Sequence, residues 1–193
     1  MENLLNGTYY LKADSNTNIS PGSAYDPPGF DQMNPGPKGI IMKDENKKKV
    51  IDTLNRILEM ELAGTIHYTH YSFMIFGYNR IPIVKWLEEQ AMESMAHARE
   101  AGELVTQMGA HPSLAIGPLL ETHKHDIGDI LRESLAHEKA TLAYYEALLA
   151  LVKDQDVLVE EFARDHIKLE KLHIGEVDKM LRKPGDIEPF EKA

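Results

Sequence analysis

Glu170-Lys171-Leu172-His173 is the stretch on which the fold turns. A carboxylate and an imidazole three residues apart lie on one helical face, about one turn from each other. Around them Leu158, Phe162, Leu169, Val177 and Leu181 recur at helical spacing and predict an apolar stripe. Ionisable groups in such a stripe are costly to desolvate unless a partner neutralises them, and a metal ion does so while coordinating both. An isolated Glu-x-x-His also fits a surface helix on which Glu170 pairs with a lysine or arginine. The other helices therefore decide the reading.

Upstream, the three-four spacing of Val50, Ile51, Leu54, Ile57, Leu58, Thr65, Tyr68 and Ser72 predicts a first helix from Lys47 to about Gly77. Pro82 suits the first turn of a second, which carries Trp86, Leu87, Ala91, Ala101, Leu104 and Met108 and is capped at Gly109. Residues 110 to about 122, with Pro112, Gly117 and Pro118, read as a crossover. Leu131, Leu135, Leu142, Tyr145, Leu149 and Val152 mark a third helix. A turn at Asp154-Gln155-Asp156 leads to the fourth, which ends near Arg182 before Pro184-Gly185. The pattern predicts an all-α protein: an antiparallel four-helix bundle with a long crossover between helices two and three. Such bundles hold metal sites between facing helices.

Each helix also brings a metal-ligating type to its inner face. Helix one has Glu61 between Leu58 and Thr65; helix three has Glu138 between Leu135 and Leu142. Helix two supplies His97, and helix four Glu170 and His173. Glu61 and His97 are 36 residues apart and Glu138 and His173 are 35 apart, so the two halves repeat one spacing. Two helix pairs about a pseudo-twofold axis would build a two-metal site, and carboxylate and imidazole donors suit iron or manganese. The chain has no cysteine, which excludes thiolate sites and disulfides.

The remaining segments differ in character. Residues 1–45 form a Pro/Gly-rich arm with Pro21, Pro27, Pro28, Pro35 and Pro37, expected to be non-helical; Tyr9, Tyr10, Tyr25 and Phe30 suggest that it covers a surface or a neighbouring subunit. The bundle occupies 46–183 and a tail 184–193. A net charge of −10 over 193 residues argues against nucleic acid and favours cations. Neither a signal peptide nor a membrane-length apolar run is visible, so a soluble, cytoplasmic protein is expected.

Several motifs resemble the ferritin superfamily, and within it the bacterioferritins, over roughly residues 47–182. They are Glu61 with Tyr68 seven residues on, Met95-Ala96-His97-Ala98, and the turn Gly109-Ala110-His111-Pro112-Ser113-Leu114. With them go Leu135-Ala136-His137-Glu138, Arg164-Asp165 and Leu169-Glu170-Lys171-Leu172-His173. The resemblance implies a dinuclear iron centre with Glu61, His97, Glu138, Glu170 and His173 as ligands and Tyr68 beside it. It also implies a homo-oligomeric shell of 24 subunits that oxidises ferrous iron with dioxygen or peroxide and stores the ferric product. Met95 aligns with the methionine that ligates haem b between subunit pairs.

One position departs from that pattern. Family members have Glu-x-x-His on the second helix too, but Ser94 stands three residues before His97, and Glu93 four before it. Glu93 shares the helical face of His97 and is a candidate sixth ligand, re-aimed by a π-bulge if needed; the alternative is water. The departure keeps open a di-iron or dimanganese oxidase, peroxidase or catalase of smaller oligomeric state. A third reading is a non-enzymatic helical interaction protein with Glu and His networked in its core. His67, His70, His111, His123 and His125 are further candidates for transit or surface metal sites.

Overall fold

The computed structural model describes residues 44–190; residues 1–43 of the expected N-terminal arm lie outside them, and Asp44 and Glu45, assigned to that arm, open the first helix. Four helices follow in order: α1 Asp44–Met74, α2 Arg80–Gln107, α3 Ile127–Val152 and α4 Val157–Leu181. No strand occurs among the described residues, and none of these helices is long and apolar enough to cross a membrane. The α1–α2 and α3–α4 links are short, so each pair turns back on itself. α1 packs chiefly on α2, α3 on α4, and α1 joins the two pairs through α3.

The helix boundaries follow local chemistry. Gly77 and Gly109 adopt φ of +86° and +80°, left-handed values that glycine takes without steric cost, and they close α1 and α2. Arg80 donates to the carbonyls of Ser72 and Ile75, covering the C-terminal acceptors that α1 leaves open. Asp126 accepts from Gly128 N at 2.9 Å and Asp156 from Val159 N at 3.1 Å, capping α3 and α4.

The long connection, residues 108–126, lies along α1 rather than standing off it. Gly117 donates to Glu59 O at 2.8 Å, so close that a Cβ there would come within 3.0 Å of that oxygen. Ser113 binds Asn55 through its amide and Glu59 through its hydroxyl.

Two apolar ends sandwich a polar middle. One end gathers Val50, Leu54, Ile57, Ala101, Val105, Leu148, Val152 and Ala163. The other holds Tyr68, Tyr71, Ile75, Leu87 and Ile130, beside a cluster of Leu131, Leu135 and Val177. The expected stripe of α4 needs correction. Its buried line is Val159, Ala163, His166, Glu170 and Val177, whereas Leu158 is 52% exposed. Residue 159 and not 158 belongs to the series leading to Glu170, so the helix is rotated to put the polar residues inward. On α3, Thr141 and Leu148 are buried where Leu142 and Leu149 are only half-buried.

Candidate metal centre

The polar middle collects one face of every helix. α1 contributes Glu61, α3 contributes Glu138, α4 contributes Glu170 and His173, and α2 contributes Gln90, Glu93, Ser94 and His97; all line one small cavity of about 10 Å³. Glu61, Glu138 and Glu170 are 2%, 5% and 3% exposed, and His97 is 6% exposed. The donor atoms fall into two groups, each within 4.8 Å: Glu61, His97 and Glu170, and Glu138, Glu170 and His173. Glu170 belongs to both. The two halves inferred from the sequence spacing therefore meet at the residue with which that reading began.

Within the centre, His97 Nδ1 is 3.5 Å from Glu61 Oε1, and His173 Nδ1 is 3.9 Å from Glu138 Oε2. Glu93 reaches both imidazoles from the outer side, with one oxygen 3.9 Å from His97 Nε2 and the other 3.4 Å from His173 Nε2. No π-bulge is needed for this, because α2 is unbroken α-helix through residues 93–97. Ser94 is also buried and lines the cavity, but it brings a hydroxyl where a carboxylate was expected.

Four carboxylates converge here, and no lysine or arginine lines the cavity among the described residues. Burial, followed by the neighbouring carboxylates of Glu138, Glu61 and Glu93, pushes the Glu170 carboxyl far above the usual range. Its Oε2 is buried with no hydrogen-bond partner. Burial opposes charge on His97, yet the hydrogen bond to Glu61 and the charges of Glu61, Glu93 and Glu100 raise its pKa overall. Such a cluster needs cations or protons. The donor set, carboxylates with two imidazoles and an orphaned carboxylate oxygen, fits divalent iron or manganese.

A layer around the donors holds them in place. Tyr68 donates to Glu138 Oε1, and Tyr145 donates to Glu61 Oε1 at 2.7 Å. Both phenols are raised well above their ordinary pKa, first by burial and then by those carboxylates, and stay protonated donors. His166 stacks on Tyr145 with centroids 5.0 Å apart and meets His97 edge-on at 4.5 Å. Its Nδ1 faces the Phe162 carbonyl at 2.8 Å; since a carbonyl only accepts, Nδ1 carries the proton.

Thus the structure brings Glu61, Tyr68, Glu93, His97, Glu138, Glu170 and His173 together. Met95 is not among them: it lies on α2 at 39% exposure, outside the cavity. Sequence reasoning missed Tyr145, His137, His166, Gln90 and Thr141. Tyr145 had a signal, because it follows Glu138 by seven residues as Tyr68 follows Glu61.

The comparisons agree with this fold. The model of the ferritin-like domain family matches residues 51–185. No curated protein matches by sequence. A ferritin-like diiron-carboxylate protein of Bacillus anthracis str. Ames superposes with a TM-score of 0.69 at 21% identity, covering 72% of this chain and 100% of that one. Bacterioferritin of Desulfovibrio desulfuricans, whose diiron site was seen in different catalytic states, gives 0.64 at 22% identity over 71% and 80%. A dodecameric thioferritin, the bacterioferritin-related protein of Bacteroides fragilis, gives 0.64 at 19% over 70% and 85%. With the family model spanning most of the bundle, the chain belongs to the ferritin-like domain family.

Proposed function

We propose that this protein oxidises ferrous iron at a dinuclear centre, with dioxygen or peroxide as the electron acceptor. The observation that carries the reading is the cluster of buried Glu61, Glu138 and Glu170 with half-buried Glu93 at its edge, lined by no lysine or arginine among the described residues. Ferrous iron is the substrate, and each ion gives up one electron to the oxidant. Glu61 with His97 would hold one ion, Glu138 with His173 the other, and Glu170 would serve both. Binding two divalent ions expels the proton that Glu170 otherwise retains and removes the repulsion among the carboxylates. Tyr68 and Tyr145 keep Glu138 and Glu61 oriented. Glu93, 34% exposed at its side chain, stands at the outer edge of the cavity, and we assign it as the sixth ligand.

The same reading makes the protein a homo-oligomer handling iron for storage or detoxification. Phe73, Phe76, Ile81, Val157 and Leu172 are 59–83% exposed on one chain, large apolar side chains that suit burial between copies. Light scattering measures the assembly: a 24-subunit shell is the bacterioferritin-like expectation, and a dodecamer is the size named for the Bacteroides relative.

Anaerobic protein supplied with ferrous iron and then air tests the activity. Rapid ferric absorbance that Glu170→Ala abolishes supports it, and an unchanged rate in that variant removes it. A second reading is favoured by Ser94. With a hydroxyl in place of the expected carboxylate, the centre suits a di-iron or dimanganese oxidase, peroxidase or catalase in a smaller oligomer. Turnover of peroxide by manganese-loaded protein, without net iron oxidation, would select it.

A further inference from the structure

The end of the crossover is pinned before α3 begins. His67 Nε2 accepts from Leu120 N at 2.6 Å, Tyr71 Oη is 2.7 Å from Leu120 O, and Glu133 accepts from Thr122 N at 3.0 Å. Residue 121, between these anchors, is held against α1. Glu121 accepts from the backbone N–H of His123, whose φ of +57° turns the chain back over the carboxylate. A left-handed conformation at a non-glycine residue is uncommon and is kept here by its surroundings.

Three imidazoles converge on that carboxylate. His70 Nε2, from α1, lies 3.0 Å from Glu121 Oε2. His125 Nε2 lies 3.5 Å and His123 Nδ1 3.6 Å from Glu121 Oε1. Side chains of Glu121 and His125 are 22% and 27% exposed, while His123 is 84% exposed. His125 Nε2 is shielded from solvent and has no hydrogen-bond partner, so a ring nitrogen is aimed at the carboxylate with nothing bound to it. Donor atoms of His70, Glu121 and His125 all lie within 4.8 Å of one another. Ligands about 2.1 Å from a tetrahedral ion are roughly 3.4 Å apart, close to the separations found here.

We propose that His70, Glu121 and His125 bind one divalent transition-metal ion at the junction of α1 and the crossover, separate from the central cluster. Two imidazoles and one carboxylate select borderline ions such as Zn²⁺, Co²⁺ and Fe²⁺; calcium and magnesium want more oxygen donors than the three residues offer. The backbone on both sides of Glu121 is already anchored, so little ordering is needed for the ion to bind. Once bound, the ion fastens the loop to the helix that carries Glu61.

Co²⁺ titration followed by its visible absorption tests the site on the full chain. His70→Ala/His125→Ala should bind one ion per chain fewer than wild type and oxidise ferrous iron at the wild-type rate. An unchanged stoichiometry overturns the proposal. Glu121→Gln keeps the carbonyl that accepts from His123 and leaves the loop folded. It should weaken this one ion by about tenfold or more, and if the alanine variant loses helicity, undiminished affinity in Glu121→Gln overturns the proposal. The central ions, counted in the same titrations, report separately on the proposed di-metal centre, so the failure of one is distinguishable from the failure of the other.

Discussion

Tyr145 of α3 donates its hydroxyl across 2.7 Å to Glu61 of α1. The opposite half repeats the bond in reverse, with Tyr68 of α1 donating to Glu138 of α3. Glu-x6-Tyr on each helix thus forms a reciprocal pair that ties α1 to α3 through the two carboxylates of the centre. On Glu138 this leaves Oε2 to face His173, whereas on Glu61 the same Oε1 meets both Tyr145 and His97. Tyr145→Phe and Tyr68→Phe should each weaken the ion on the affected side by about tenfold and lower the stability of the folded chain by about 1.5–3 kcal/mol. Metal titration and thermal melts of the two variants check this. If one substitution acts and the other is silent, the two halves are not equivalent.

Glu170 makes the metal-free protein sensitive to alkali. Its carboxyl lies far above the ordinary 4.5 because of burial and the facing carboxylates, so the folded chain keeps a proton that the unfolded chain has released. That contribution is complete below about pH 4.5 and is lost as pH rises toward the folded value, at up to about 1.4 kcal/mol per pH unit. Burial depresses His67, to about 4, and also His137 and His166; these act with the opposite sign, their contribution being lost as pH falls below 6.5. Above about pH 7 they are already neutral. Chelator-treated protein should therefore melt lower at pH 9 than at pH 7, and Glu170→Gln should flatten the slope. Metal-loaded protein should show the reverse trend in affinity, because the ion displaces the proton. A chelated wild type with no slope between these pH values would contradict the assignment.

Much of this arrangement is legible in the sequence. Four periodic segments and two short links specify the bundle, and inward Glu and His at matched spacing pick out residues that line its central cavity. The face of α4 is misread when leucines are counted as core. In the structure Leu158 and Leu172 are more than half exposed while His166 and Glu170 are buried. Periodicity reports which residues share a face; it does not say which face turns inward when the core itself is polar. Tyr145 reads as packing for the same reason, since a tyrosine in an apolar stripe does not reveal its hydroxyl's partner. The docking of the crossover depends on bonds such as Tyr71 to Leu120 and His67 to Leu120, which join segments far apart in the chain, and no local pattern encodes those.

Gly64 sits one turn beyond Glu61, where α1 lies close against side chains of α2 and α3. A Cβ there would be 2.8 Å from Ser94 Oγ and 2.9 Å from His137 Nε2, both from buried residues. Gly64→Ala should cost about 1–3 kcal/mol through overpacking and slow ferrous oxidation by displacing α2 from Glu61. Gly102→Ala is the opposite case. It is helical, and its added methyl meets nothing within 4 Å, so it should stabilise by about 0.5–1 kcal/mol. Paired thermal melts read both signs. Equal shifts in the two variants would mean that close helix approach at Gly64 is unimportant.

Ser94 and Glu93 divide between them the role that one glutamate was expected to fill. Ser94 is buried against the centre, and Glu93 spans the outer edges of His97 and His173. Ser94→Glu would place a carboxylate three residues before His97, on the same helical face. A fifth carboxylate at the cavity raises the repulsion in the metal-free state, so the chelated variant should melt below wild type. The same group adds a ligand, so the rise in melting temperature on adding metal should exceed that of wild type. Glu93→Gln should weaken metal binding by about tenfold in the wild-type background and by much less in the Ser94→Glu background. Wild type, the two single variants and the double variant form a double-mutant cycle whose coupling energy measures how far one carboxylate substitutes for the other. Additive effects would show that neither carboxylate substitutes for the other, and undiminished metal binding in Glu93→Gln alone would pass the sixth position to water.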